Sequence, residues 1–89
     1  MNLLKVLARS GCDDILLSLS EKEEMNFGDI AKLMKHRPTA TRALKVLTKA
    51  GLLERRVLED RSVRYKLTEK GKAVSTALKE LRGIGSAFE

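Results

Sequence analysis

Between Lys35 and Lys66 the chain concentrates side chains that can hold anionic oxygen. Seven lie in the first part of that stretch: Lys35, Arg37, Thr39, Thr41, Arg42, Lys45 and Lys49. Five more follow: Arg55, Arg56, Arg61, Arg64 and Lys66. Lysine offers a mobile point charge. Arginine offers a planar fork that donates two parallel hydrogen bonds and so can recognise paired acceptors. Threonine hydroxyls add short-range donors and acceptors. This is the chemistry of non-covalent recognition. No nucleophile–base pair stands out, and the scattered glycines form no phosphate-binding loop. Asp13-Asp14 and Glu23-Glu24 read as a helix start and a polar loop, not as an acid/base pair. The expectation is a non-enzyme without a cofactor.

Charge is distributed unevenly. Residues 1 to 30 hold three basic and six acidic side chains, a net −3, and the remainder holds 15 basic and six acidic, a net +9. A basic chain could also meet an anionic membrane or an acidic protein, but neither partner requires the charge to be confined to one segment. The 89 residues suit one domain, 1–89, with a core from about residue 13 to 72 and a C-terminal helix over 73–89. Aromatics make up 3%, so the core must come from Leu, Val, Ile and Ala. The one cysteine, Cys12, excludes an internal disulfide and a cysteine-based metal cluster, which implies a cytoplasmic setting. The opening MNLLKVLARS carries Lys5 within its short apolar run and does not read as a signal peptide. No stretch approaches the ~20 apolar residues that span a bilayer.

The elements that must position the cations can be read from spacing. Leu3, Leu4 and Leu7 fall at helical intervals over Asn2 to Arg9; Ser10-Gly11 interrupts, and a helix carrying Ile15, Leu16 and Leu19 begins at Cys12 or Asp13. One kinked helix and two separate helices both fit Asn2 to Ser20. Met25-Asn26-Phe27 is a short extended piece and a candidate third strand. The next helix starts at Gly28-Asp29, with Asp29 as candidate cap and Ile30, Ala31, Leu33 and Met34 as its buried side. Lys35-His36-Arg37 forms a turn. A helix then runs from Pro38 or Thr39 to Ala50, with Ala40, Ala43, Leu44 and Leu47 on one face and Gly51 as its stop. Leu53 to Leu58 and Val63 to Leu67 read as strands around the turn Glu59-Asp60-Arg61-Ser62. In the second strand Val63, Tyr65 and Leu67 share one face, Arg64 and Lys66 the other. Thr68 caps a last helix, expected to fray at Gly83-Ile84-Gly85. The fold class is mainly α with a small β-hairpin (α+β). Its order is helix, short strand, helix, helix, strand, strand, helix, which is the layout of a winged helix-turn-helix.

If Ala43, Leu44 and Leu47 face inward, Thr39, Thr41, Arg42, Lys45 and Thr48 or Lys49 face outward. The major groove of double-stranded DNA accepts one α-helix. Arg42 is the candidate for base readout, worth about 1–3 kcal/mol of discrimination at a guanine. Lys35, Arg37, Lys45 and Lys49 suit phosphates, and Thr39 and Thr41 suit a phosphate, a base or a thymine methyl. Arg61 stands at or beside the hairpin tip, where it could enter a minor groove and sense its width. An exposed basic strand is also an ordinary guard against edge pairing, which accounts for one or two of the wing cations, and Glu54, Glu59 and Asp60 can pair with others.

The run PTATRALKVLTKAGLLERR followed by RYKLTEKGK resembles winged-helix transcription regulators of the MarR, HxlR, ArsR and PadR kind, over Ile15 to about Leu81. The resemblance implies a homodimer on pseudo-palindromic DNA, with the last helix as dimerisation element. That carries over to Val74, Ala77, Leu78 and Leu81, and to Leu3, Leu4 and Leu7; the same leucines could instead close the monomer core. MarR proteins are usually longer, with extra helices around a ligand pocket. ArsR metal sensors carry clusters of Cys, His or Asp, whereas Cys12 and His36 lie far apart here, so no metal is expected. The alternatives in other classes are a winged-helix module that docks an acidic protein and a nonspecific chromatin-like binder.

Overall fold

The computed structural model describes residues 3–7 and 11–87. Two separate helices open it, Leu3–Leu7 (α1) and Cys12–Glu21 (α2). Gly11 sits between them with φ 83°, a left-handed backbone that glycine adopts without steric cost. Asp13 and Asp14 occupy the first turn of α2, where the helix dipole favours negative charge. The expected helix over Asn2 to Arg9 is thus described only at Leu3–Leu7, its remaining residues and the side chain of Leu3 lying outside the described residues.

Met25–Asn26 (β1) leads directly into Phe27–Met34 (α3). The cap of α3 is Asn26 and not Asp29: the Asp29 N–H donates to Asn26 Oδ1 at 2.8 Å. Strand pairing holds Asn26 extended, whereas Asp29 is already inside the helix, and a cap needs non-helical backbone. Ile30 and Ala31 are buried and Met34 is half-buried, but Leu33 is 42% exposed. At 100° per residue, Leu33 falls roughly 100° from the midline of the other three.

Arg37–Lys49 (α4) follows after Lys35 and His36, with Pro38 in its first turn. Ala40, Ala43, Leu44 and Leu47 are buried as expected. Past Ala50, Gly51 takes φ 80°. The Gly51 N–H donates to the Thr48 carbonyl and the Leu52 N–H to the Leu47 carbonyl, both at 3.0 Å. These paired bonds satisfy two of the four carbonyls that a helix end leaves open.

Leu53–Val57 (β2) and Val63–Leu67 (β3) form an antiparallel hairpin, and β1 adds to the far side of β3, giving the order β1-β3-β2. Leu58 lies beyond the strand because its carbonyl accepts from the Arg61 N–H at 2.9 Å and so belongs to the turn. Glu69–Ala87 (α5) is the last described element. Thr68 caps it, its Oγ1 accepting from the Gly71 N–H at 3.1 Å. The helix does not fray at Gly83-Ile84-Gly85. Arg82 binds Asp13 at 3.0 Å and Asp14 at 3.4 Å, which pins the turn before the glycines to α2.

Ile15, Leu16, Ile30, Leu44, Leu47 and Leu52 form the fully buried centre, each contributing about 1.5–3 kcal/mol by burial. Val74 and Leu78 pack against this core, while Ala77 and Leu81 face outward. The four positions expected to act together on α5 therefore divide into two inward and two outward. This is the winged helix-turn-helix arrangement.

Two glycines of α5 differ in surroundings. A Cβ on Gly71 would lie 2.1 Å from the Leu52 carbonyl oxygen, whereas one on Gly83 would meet nothing within 4 Å. Gly71→Ala is expected to destabilise the protein by about 1–3 kcal/mol through overpacking. Gly83→Ala is expected to stabilise it by up to about 1 kcal/mol through helix propensity. Urea unfolding of the two variants checks both signs.

Candidate nucleic-acid interface

Burial of the α4 stripe sets the outer face. Pro38, Arg42, Lys45 and Lys49 are exposed along one line, at offsets of four, seven and eleven residues. Among the described residues, no ion pair or side-chain hydrogen bond engages Arg42, Lys45 or Lys49. The threonines differ from expectation. The Thr41 hydroxyl donates back to the Arg37 carbonyl at 3.0 Å, and Thr39 Oγ1 lies 2.8 Å from His36 Nδ1. Both threonines are half-buried, and Thr48 turns its hydroxyl into the fold, where no partner meets it among the described residues.

The turn before α4 is also ordered by local contacts. Lys35 ends α3 in a left-handed conformation, φ 60°, and is exposed. Arg37 lies with its guanidinium carbon 5.4 Å from the centroid of the Phe27 ring, a cation–π contact that keeps it at the start of α4.

Strand register divides four of the five hairpin cations between two faces, and the fifth, Arg61, stands in the turn. Residues directly opposite in an antiparallel pair share a face. Arg55 pairs with Tyr65 and so lies on the side that meets α4. It borders a cleft of about 500 Å³ between α4 and the hairpin, floored by Phe27, Leu44 and Tyr65 and edged by Lys45 and Lys49. Arg56, Arg64 and Lys66 occupy the opposite face, toward α2 and α5. There Arg56 is 3.2 Å from Glu24, and Lys66 is 3.4 Å from Glu54. Arg56 and Arg64 are direct cross-strand neighbours, a like-charge pairing that costs stability unless an acid compensates it, as Glu24 does.

Arg61 stands exposed at the tip with φ 69°, an uncommon backbone for a non-glycine residue. The turn that holds it is fixed by Asp60, whose Oδ1 accepts from the Ser62 N–H at 3.0 Å and from the Ser62 hydroxyl at 2.6 Å. The spacing Asp60-Arg61-Ser62 carries the signal for this turn. By contrast, the Glu24–Arg56 and His36–Thr39 pairings leave no mark that sequence spacing alone would reveal.

The geometry is that of an exposed cationic helix beside a hairpin with an arginine at its tip. Over this region, residues 14–61, the sequence matches the model of the MarR family. The chain belongs to the MarR family. Its fold superposes on several solved members and related regulators. One is the transcriptional regulator SlyA, at 28% identity and a TM-score of 0.81, over 96% of this chain and 63% of that one. A possible HxlR family transcriptional factor from Thermoplasma volcanium gives 28% and 0.85, over 99% and 82%. A further MarR family transcription regulator gives 30% and 0.82, over 96% and 58%. The present MarR-family chain thus spans about three-fifths of the length of two of these three. No curated protein matches the sequence significantly. Among the described residues no helix is long and apolar enough to cross a membrane.

The Ser62 hydroxyl and amide, followed by the Arg64 charge, hold the Asp60 carboxyl below the usual carboxylate range. A carboxylate lowered in the folded state supports the turn above its ordinary value and ceases to do so as pH falls through the lowered one. The Ser62 amide resonance is therefore expected to titrate with a midpoint below the ordinary aspartate value, and Asp60→Ala is expected to abolish that titration in an NMR pH series.

Proposed function

We propose that this MarR-family chain is a sequence-specific double-stranded DNA-binding transcription regulator, acting as one winged-helix unit. In this reading α4 enters the major groove and the β2–β3 hairpin lies along the adjacent backbone or minor groove. The observation that carries it is the outer face of α4. That helix of 13 residues contains no aspartate or glutamate. Among the described residues, no acid pairs with its exposed cations Arg42, Lys45 and Lys49, whereas a solvated surface helix usually mixes signs along its face.

Each group then has a role set by its surroundings. Arg42 reaches a base edge from the N-terminal half of the helix, where recognition helices read sequence. Lys35, Arg37, Lys45 and Lys49 meet phosphates, and Arg55 meets the backbone that runs between helix and hairpin. Thr39 and Thr41 have their hydroxyls engaged, so they offer methyl groups, which suit the thymine methyl. Arg61 enters the minor groove. Arg56 and Lys66 are held by Glu24 and Glu54 and act mainly through the long-range field.

The unit acts as a homodimer. Leu81 and Ile84 on α5 are 64% and 59% exposed, Ala77 lies on the outer side of the same helix, and Leu4 projects from α1. Val74 and Leu78 serve the core of each copy. Two copies joined through the far end of α5 would place their α4 helices in successive major grooves, about 34 Å apart.

Selection of bound duplexes from a random pool is expected to return an inverted repeat. On that duplex Arg42→Ala should lower discrimination against random DNA by about 1–3 kcal/mol. Arg61→Ala should weaken both complexes by similar factors. Pools that return no shared sequence, or an Arg42→Ala loss that is equal on operator and random DNA in gel shifts, would remove the sequence-specific reading. Little affinity for random duplex even at low salt would point to a protein-docking module.

A further inference from the structure

The junction between the end of α4 and the start of α5 is bonded more densely than either helix end requires. Three consecutive carbonyls just past α4 end on the first residues of α5. The Lys70 ammonium donates to the Ala50 carbonyl at 3.0 Å, the Thr68 hydroxyl donates to the Gly51 carbonyl, and the Thr68 N–H donates to the Leu52 carbonyl at 3.1 Å. The same Thr68 hydroxyl accepts the Gly71 N–H, the cap of α5. Gly71 lies so close to the Leu52 carbonyl that no Cβ fits between them. One hydroxyl thus ties the segment just past α4 to the start of α5.

We infer that Thr68 is a positioning residue that fixes the angle between α4 and α5, and through it the half-site spacing that two copies of this chain accept. The inference rests on the homodimeric DNA-binding reading given above. The outward apolar residues Leu81 and Ile84 lie ten and thirteen residues beyond Gly71, about 15–20 Å along the helix axis. Over that distance, α5 acts as a lever whose grip on α4 is the Thr68 junction. Its middle is anchored as well: the buried Ser75 hydroxyl donates to the Leu16 carbonyl at 3.2 Å, and Arg82 holds Asp13 and Asp14. The buried stripe of α4 fixes its rotation about its own axis, and with α5 fixed on α2 and its far end joined to a second copy, the Thr68 junction is the bonded link between the end of α4 and α5. One base pair of spacing corresponds to about 3.4 Å along the duplex and roughly one-tenth of a turn. A junction that lets α4 tilt freely would accept neighbouring spacings, whereas a bonded one would not.

The two roles of the hydroxyl can be separated chemically. Thr68→Asp keeps an acceptor for the Gly71 N–H, since aspartate is a strong helix cap, but it cannot donate to the Gly51 carbonyl. Thr68→Ser keeps both roles. Thr68→Val removes both. The probes are the inverted repeat recovered by selection, the same repeat with its spacer lengthened or shortened by one base pair, and a duplex with a single half-site. The wild-type chain is expected to prefer its own spacing by tenfold or more. Thr68→Asp is expected to reduce that preference to threefold or less, with helical circular dichroism unchanged and single half-site affinity within twofold. Thr68→Ser should restore the wild-type preference. A Thr68→Asp protein that keeps the tenfold preference overturns the positioning role while leaving the dimer in place. A wild-type chain indifferent to spacing overturns the dimeric reading and the inference with it.

Discussion

Burial of one stripe on α4 governs the direction of every cation on that helix. Ala40, Ala43, Leu44 and Leu47 turn inward at helical spacing, and Pro38, Arg42, Lys45 and Lys49 are left outside by the same periodicity. Rotating the helix by one residue would bring Leu44 and Leu47 toward water, at a cost of several kcal/mol. Exposed lysines and arginines, by comparison, contribute little to folding stability. The apolar stripe therefore sets the orientation almost independently of what the outer residues are. Recognition chemistry on the outer face can vary while the frame that aims it stays unchanged.

The hairpin obeys a different constraint, that of strand register. Leu53 and Tyr65 must lie on the core side, so Arg55, between Leu53 and Val57, lies there too, and Arg56 cannot. The cost of placing Arg56 opposite Arg64 is offset by Glu24, which comes from the polar loop after α2. Five cations that look equivalent in the chain thus act in distinct settings. Arg55 faces the cleft beside α4, Arg61 extends from the tip, Arg64 lies half-buried opposite Arg56, and Arg56 and Lys66 are each balanced by a carboxylate.

What could be read from the chain was what depends on near neighbours. The stripe of α4, the stop at Gly51, the strand Val63–Leu67 and the Thr68 cap all arise from signals within a few residues, and they stand where the spacing puts them. The cap of α3 was misplaced by three residues because Asn26 and Asp29 are both good caps. Pairing of β1 with β3, remote in the chain, decides between them. Leu33 departs from the expected stripe because a run of apolar residues does not reveal where its stripe ends. The persistence of α5 through two glycines could not be foreseen either, since its anchor on α2 links residues 68 and 69 positions apart. For the candidate surface, the identity of the cations was legible. Which of them are neutralised, and the engagement of the Thr39 and Thr41 hydroxyls, depended on the folded arrangement.

The Thr68 junction also has a consequence for the order of assembly. The last carbonyls beyond α4 wait for donors that lie 17 and 20 residues later in the chain. Closing the hairpin is what brings those donors home, a microsecond event in isolated hairpins, slower than adding turns to a helix. During synthesis Gly51 and Leu52 can close α4 as soon as they emerge, whereas the Ala50 and Gly51 carbonyls wait until the wing has formed behind them. The link between this segment and α5 is thereby gated by the strands between them, and a chain arrested before Thr68 would leave the Ala50 and Gly51 carbonyls to water.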